Sequence, residues 1–381
     1  MTKARKATDT RNKRNEDPQK PIPPILPKHI LSLTSARFIA SFAIVLYHFK
    51  DQMGFHIEEY THILKNAYVG VDFFFILSGF IMAHSYVTQI TQKKFSFLTF
   101  MKRRFARIYP VHFVTLMAFC GLGFLFFLLG IKPNIPEKYT LEAIPINLLL
   151  LQAWGLKAEE TFNTPSWSIS AEWLAYLLFL PLILLLLKLN KILSLTLTII
   201  TMIAFYFITP SITGTQMTGL AHHLGILRII PEFFYGIAMY LFLSYKIPSQ
   251  KISTALWVGG LIAMLFCLHF GVLDLITIFL FGILIYALAA RSCYGQHHIL
   301  DNPVLIYGGQ ISYSMYMIHA LIYTLAFNGA DILLENQSSM MQIIIWGVSV
   351  IAVFPAAIVL FHLIEEPGRK FINKTRFFDK P

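Results

Sequence analysis

Leu33-Thr-Ser-Ala-Arg-Phe-Ile-Ala-Ser-Phe-Ala-Ile-Val-Leu-Tyr-His-Phe49 is the first long apolar run of the chain, and it carries an arginine, Arg37, and a histidine, His48. The run is long enough to cross a bilayer and otherwise has the composition of a lipid-spanning helix. The two ionisable groups are 11 residues apart. At about 100° per residue that spacing is about 20° past three full turns, so both project from one helix face, about 16 Å apart along the axis. Charged groups in hydrocarbon are costly and face a protein interior or a watery cavity. A helix that keeps two of them in line is expected to border a functional path.

The rest of the chain has the same character. Its 381 residues are 56% hydrophobic and 13% charged, with a mean hydropathy of +0.61. A soluble domain carries roughly twice that charged fraction. An all-α polytopic membrane protein is expected, with one membrane domain using nearly the whole length. The net charge of +11 does not point to nucleic acid, because the bases cluster beside apolar segments. Cys120, Cys267 and Cys293 lie far apart, in or beside apolar runs. They suggest neither a disulfide framework nor a metal motif.

Residues 1–30 are polar and basic and end in Pro21-Ile-Pro-Pro-Ile-Leu-Pro27, which reads as a disordered cytoplasmic tail with an extended linker. No small-residue cleavage site follows the first apolar run, so that run is expected to be retained. Apolar segments long enough to span recur at roughly 31–49, 68–90, 109–130, 166–187, 192–209, 223–243, 253–271, 273–290, 304–327 and 341–363, about ten in all. A tight turn is required at Gly271 to Leu273. The membrane domain is thus placed at 31–365 and a short second cytoplasmic tail at 366–381.

Of the 31 lysines and arginines, 24 fall on one side when the spans alternate from an inside N-terminus. Lys50, Lys65, Lys132, Lys138 and Lys157 fall on the other side, and Arg37 and Arg228 lie within spans. The positive-inside rule then makes both termini cytoplasmic. In the longest outside connection, from Ile131 to Thr164, the short apolar piece Leu141–Trp154 is expected to form an interfacial or re-entrant helix.

This topology sorts the buried polar residues by depth. His48, Asp72, Glu172, Arg228 and His319 fall toward the outer face. Arg37 and the run Lys102-Arg103-Arg104-Phe-Ala-Arg107 fall toward the inner one. Arginine forks bind phosphate well, so a phosphate-bearing donor entering from inside suits the basic end. A histidine beside a carboxylate suits proton transfer at the other. Each residue also has a plainer reading. The basic run can be positive-inside anchoring, Asp72 a helix cap, Arg228 with Glu232 an i,i+4 ion pair, and His319 a hydrogen-bonded packing residue.

Seven motifs in order resemble the membrane-bound acyltransferase family 3. They are Arg37 with His48; Phe74-Phe-Ile-Leu-Ser-Gly-Phe80, after Asp72; a basic loop, Arg103-Arg-Phe-Ala-Arg-Ile-Tyr-Pro110; Trp167-Ser-Ile-Ser-Ala-Glu172; Arg228-Ile-Ile-Pro-Glu-Phe-Phe-Tyr-Gly236; Ile311-Ser-Tyr-Ser-Met-Tyr-Met-Ile-His319; and Glu366-Pro367. The resemblance implies transfer of an acyl group, acetyl by default, from acyl-CoA to a carbohydrate hydroxyl at a bacterial cytoplasmic (inner) membrane. The acceptor would be O-antigen lipopolysaccharide, exopolysaccharide or a similar glycan. Acyl-CoA would be a co-substrate, with no permanently bound cofactor. The bilayer and polysaccharide-assembly proteins would be its other partners. The family's essential Arg and His fall on Arg37 and His48, and its Arg-x-x-Arg on Arg104 and Arg107. About 18 residues follow the last span, so no fused second domain is expected to take over the acyl group.

On this reading His48 is the base for the hydroxyl, oriented by Glu172 or Asp72. Arg37 holds the donor's arm or its phosphates, and Arg103, Arg104 and Arg107 hold the nucleotide end. Ser78, Trp167, Arg228, Ser314 and His319 are further site candidates from the same motifs. Transfer through an acyl-histidine is an alternative to direct transfer. Trp154, Phe162, Trp167 and Trp173 could stack on a sugar or form an interfacial belt. Two other classes use the same residues: a proton-coupled transporter with an intramembrane relay, and a non-catalytic scaffold for polysaccharide assembly.

Overall fold

Without water in the hydrocarbon, each backbone polar group of a span must be satisfied within its own helix, and every span here is helical. The computed structural model describes residues 26–133, 135–157, 159–295, 299–334 and 337–375, among which there is no strand. Most of the tail read over 1–30 and the last six residues lie outside the described residues. The helices are α1 (Leu31–Phe49), α2 (Gly70–Thr91), α3 (Phe97–Leu129), α4 (Ala143–Leu148), α5 (Trp167–Leu187), α6 (Lys191–Thr213), α7 (Ile226–Tyr245), α8 (Gln250–Phe270), α9 (Asp274–Ser292), α10 (Pro303–Tyr323), α11 (Gly329–Leu333), α12 (Ser339–Leu360) and α13 (Glu366–Lys374). Ser96, Asn190, Ser249, Asn302 and Ser338 cap α3, α6, α8, α10 and α12 by accepting a first-turn N–H.

Nine of these helices are long and apolar enough to cross a membrane among the described residues. The tenth expected span, α10, has the length but is diluted by Gln310, His319, serines and tyrosines. It is a central helix, with Ser312, Ser314 and His319 buried against its neighbours. The basic run is not a loop. Ser96 starts α3 at Phe97, so Lys102 to Arg107 occupy its first turns. The tight turn expected at Gly271 to Leu273 is present between α8 and α9. The helix expected over Leu141–Trp154 shrinks to α4, Ala143–Leu148. It ends where Leu150 turns left-handed, φ 57°, and the segment folds down onto the bundle. The Asn147 carbonyl accepts from the His112 ring at 2.8 Å, and Leu148 O accepts from Tyr109 at 3.2 Å.

Two parallel helix pairs form the centre. Between α2 and α7 the backbones nearly touch. A Cβ on Gly79 would lie 2.0 Å from the Phe233 carbonyl oxygen, and one on Gly236 would lie 2.0 Å from that of Ile76. Between α1 and α10, a Cβ on Gly309 would lie 1.9 Å from the Thr34 carbonyl oxygen. One step further along, Ser41 Oγ donates to Ser312 O at 3.0 Å. At the far end the His48 and His319 rings stand 5.0 Å apart, centroid to centroid. Lipid offers little driving force between apolar helices, so close van der Waals approach and short hydrogen bonds have to supply it.

α3 and α5 close the remaining side of the bundle, and α12 covers α10. At the basic end, His84 Nε2 reaches Pro27 O at 3.2 Å, and Lys102 Nζ donates to Thr375 O. Both ends of the described chain therefore meet the face that carries the basic run. Replacing Gly309 with alanine is expected to destabilise the protein by about 1–3 kcal/mol through overpacking. Gly121→Ala, where nothing lies within 4 Å of the new Cβ, is the neutral control. Thermal unfolding of the two variants in detergent checks both.

Candidate active site

Three cavities run along the α1 and α10 seam. The largest, about 1080 Å³, opens at the basic face and is lined by Arg37, Lys102, Arg103, Arg104, Arg107 and Arg369, among others. It shares Arg37, Ile81, Arg104 and Arg107 with an inner cavity of about 190 Å³ between α1, α2, α3, α5 and α10. Apart from its arginines, Glu172 and a few hydroxyls, the inner cavity is walled by apolar and aromatic side chains such as Phe74, Phe75, Met82 and Ile169. A third cavity, about 340 Å³, opens at the other face and is lined by His48, Lys138, Tyr139, Glu160, Thr164, His319, Tyr323 and Asn328, among others.

The arginines differ in what holds them. Arg107 is ion-paired with the buried Glu365, whose other oxygen accepts from Ser314 Oγ at 2.6 Å. Arg107 also lies over the Tyr313 ring, 5.5 Å from its centroid. It and Ser314 are thus tied into a lock between α3, α10 and the π-helical turn Phe361–Glu365 that follows α12. Arg104 rests between the rings of Tyr86 and Tyr176, 5.9 Å from each, and its Nε has no hydrogen-bond partner. Arg37 makes no hydrogen bond or ion pair among the described residues, and Arg103 is exposed at the basin. Arg37, Arg103 and Arg104 are therefore free to meet an anion.

Neither carboxylate expected to orient His48 does so. Glu172 lines the inner cavity with Arg37, where it accepts from Ser78 Oγ at 2.7 Å. Asp72 is fully buried and forked by Arg228, with Nε to Oδ1 at 2.7 Å and Nη2 to Oδ2 at 2.6 Å. It makes no helix-capping bond. Arg228 does not pair with Glu232 as the i,i+4 spacing suggested, because Asp72 on α2 presents both of its oxygens to the guanidinium plane. The Trp167 ring lies under Arg228, 5.5 Å from it, and edge-on to Phe75 at 5.9 Å. Trp167 and Phe162 are buried and offer no face to a sugar. Trp154 donates its indole N–H to Ser170 O at 3.3 Å.

His48 opens into the outer cavity, and Glu160, Lys50 and Lys138 are the charges around it. Lys138 and Glu160 come from the two arms of the long outer connection. Those arms are joined where Phe162 N–H donates to Lys138 O at 2.8 Å. Burial draws the Lys138 ammonium below its ordinary range, with Glu160 acting against it. Glu160 in turn accepts from Thr164 Oγ1 at 2.9 Å. His319 is buried, with Nδ1 2.6 Å from Tyr316 O. Sequence reasoning missed Lys138, Glu160, Glu365 and Arg369. Glu365 was legible only as the neighbour of Glu366, Arg369 lies in a short helix, α13, over a stretch read as a tail, and Lys138 and Glu160 sit in an irregular connection with no periodicity to mark them.

Between the inner and outer cavities stand two hydroxyls. Tyr316 OH lies 2.8 Å from Ser168 Oγ and 3.0 Å from Pro165 O. Tyr316 and Ser168 line the inner cavity, whereas Pro165 and His319 line the outer one.

A helical bundle with an arginine-lined basin at one face and a histidine cavity at the other is the frame of an integral-membrane acyltransferase. The chain belongs to the acyltransferase 3 family, whose acyltransferase domain matches residues 30–362, and it is a multi-pass O-acyltransferase. Acyltransferase MdmB of Streptomyces mycarofaciens is 29% identical, covering 91% of this chain and 93% of that one. Peptidoglycan O-acetyltransferase OatA of Listeria monocytogenes is 24% identical over 92% of this chain and 58% of its own length. No solved structure matches.

The two carboxylates of the second and fourth expected spans are separable by experiment. Asp72→Asn breaks a buried ion pair and is expected to cost about 3–5 kcal/mol of stability. Ser78→Ala removes one bond to Glu172 and is expected to cost about 1 kcal/mol. Unfolding temperatures in detergent compare them, and an Asp72→Asn protein that melts like wild type but lacks activity would put Asp72 in the chemistry instead.

Proposed function

We propose that the protein carries an acyl group, acetyl in the first instance, from acyl-CoA at the cytoplasmic face of a bacterial inner membrane to a hydroxyl of a carbohydrate at the outer face. The observation that carries this reading is that the anion basin ends at Arg37 and the outer cavity ends at His48, on one face of one helix. The helix rise between them, about 16 Å, is the length of a flexible donor arm and not of a single reacting pair.

The nucleotide phosphates lie in the basin on Arg103, Arg104 and Arg369, at a wall with few acids to compete for them. The arm passes Arg37 into the apolar inner cavity, and the thioester reaches His48. His48 accepts the proton of the acceptor hydroxyl as the oxygen attacks the thioester carbon. Lys138, the cation lining the outer cavity, faces the developing oxyanion. As the C–S bond breaks, the imidazolium returns the proton to the leaving thiolate, so donor and acceptor exchange one proton in all. Glu160, Thr164 and Asn328 supply hydrogen-bonding groups, and Tyr139 and Tyr323 supply rings, at a cavity that suits a sugar unit. The name of the Listeria relative, a peptidoglycan O-acetyltransferase, supports a glycan as acceptor. Polysaccharide-assembly proteins that present the glycan are the expected partners.

Inverted membrane vesicles given radiolabelled acetyl-CoA test the reading. Label is expected on glycan with the wild-type chain, and transfer is expected to fall at least a hundredfold with His48→Ala. Arg104→Ala is expected to raise the KM for acetyl-CoA on the order of tenfold, as for a lost charge-assisted bond. Full transfer by His48→Ala, or glycan movement with no label at all, would refute the assignment.

A further inference from the structure

His319 has one nitrogen committed and one bare. Its Nδ1 lies 2.6 Å from the Tyr316 carbonyl oxygen. A carbonyl only accepts, so Nδ1 carries the ring hydrogen. The neutral ring then has a lone pair at Nε2, and this atom is buried with no hydrogen-bond partner among the described residues. A buried acceptor without a donor is unfavourable, and in native proteins it calls for an explanation.

Three rings pack against His319: Phe49 at 6.4 Å, Tyr316 at 5.7 Å and His48 at 5.0 Å. Phenylalanine has nothing to donate. The Tyr316 hydroxyl is already engaged by Ser168 and Pro165. Among the three, only His48 has an N–H to give. His48 for its part has no carboxylate bonded to it, since Asp72 and Glu172 are held elsewhere. The charged groups around it, Glu160, Lys50 and Lys138, make no hydrogen bond to its ring among the described residues.

We propose that His319 is the positioning residue for His48. The two rings face each other 5.0 Å apart, and a rotation of the His48 ring, which in the resting geometry makes no bond to His319, lets His319 Nε2 accept the hydrogen of one His48 ring nitrogen and leaves the other His48 nitrogen bare toward the outer cavity. The inference rests on the acyl-transfer reading above only for its catalytic consequence. In the reaction, the hydroxyl proton moves to the bare nitrogen as the C–O bond forms, and it passes to the thiolate as the C–S bond breaks. His319 keeps its own hydrogen on Tyr316 O throughout. It plays the orienting part that a carboxylate plays in other acyl-transfer sites, without adding a charge to the membrane interior.

Two variants of the full chain in membrane vesicles test this. His319→Leu keeps the bulk of the ring but has no acceptor. His319→Gln supplies an amide oxygen as a substitute. At equal amounts of folded protein, His319→Leu is expected to lower kcat by about a hundredfold or more, with the KM for acetyl-CoA within about twofold. His319→Gln is expected to recover activity to within about tenfold of wild type. Equal activity in the two variants would reduce His319 to packing and overturn the proposal.

Nitrogen-15 spectra of histidine-labelled protein in bilayers give a readout that needs no substrate. The signals lost in His48→Ala identify His48. Wild type is expected to show one neutral His48 tautomer with a hydrogen-bonded N–H, and His319→Leu a mixture of both. Mixed tautomers in the wild type would sink the proposal even if acyl transfer is established. A single tautomer alongside absent transfer would retain the pairing and overturn the function reading alone.

Discussion

The contact of the Gly309 backbone with the Thr34 carbonyl sets what the rest of the site can do. At that point α1 and α10 approach so closely that no side chain fits between them, and the two helices run parallel from there. Thr34, Ser41 and His48 recur every seven residues along α1 and so stay on the seam. Their counterparts on α10 are Gly309, Ser312 and His319. The first contact is backbone packing, the second is a hydroxyl on a carbonyl at 3.0 Å, and the third is a pair of imidazoles 5.0 Å apart. A wider approach at Gly309 would separate the histidines at the other end, because stiff helices transmit an offset along their length. The reacting end of the site is in this sense built from its inert end.

The second constraint is the cost of charge in hydrocarbon. Two ion pairs meet it by mutual satisfaction. Asp72 and Arg228 join α2 to α7, and Arg107 and Glu365 join α3 to the turn after α12. Their formal charges cancel, and each also ties together helices that packing alone holds weakly in lipid. Arg37 and Arg104 are different. Neither makes an ion pair among the described residues, and both border the cavities, with Glu172 on the wall of the inner one. The paired charges thus account for the architecture, and the unpaired ones are those to which the proposed function assigns the donor.

Much of this was legible in the sequence. Apolar length located nine of the long helices and α10 as a tenth of spanning length, and the in-phase spacing of Arg37 and His48 put both on the one helix where two of the cavities end. What periodicity could not show was partnership across the chain. Arg228 has Glu232 one turn away, yet it bonds Asp72, 156 residues distant, because only the α2 and α7 contact brings a whole carboxylate edge-on to the guanidinium. Glu172 looked like the carboxylate for His48 because both lie toward the outer face, but depth along the membrane normal does not give the azimuth of a side chain. Lys138 and Glu160 were invisible for another reason. They lie in an irregular outer connection whose shape depends on Phe162 and Asn147 being buried against α3, a tertiary effect with no local signature. Of the four aromatic residues weighed between a sugar platform and an interfacial belt, Phe162 and Trp167 are buried, since such rings are as well suited to a packed interior as to a binding surface.

The two hydroxyls between the cavities complete the physical logic. On the proposed function, ester formation must exclude water from a thioester, because hydrolysis would otherwise compete with transfer. A permanent wall of packed backbone would also exclude the donor arm. Tyr316 and Ser168 make a wall of another kind, closed by bonds of 2.8 and 3.0 Å to each other and to Pro165 O. Such neutral bonds contribute about 1 kcal/mol each in net terms. An entering arm can replace them with its own amide groups at little cost. On the proposed function, these bonds are the ones a donor arm would exchange in passing from the inner cavity to the outer one. Because His319 bonds the carbonyl of this same Tyr316, movement of the wall and the setting of the histidine pair act on one turn of α10.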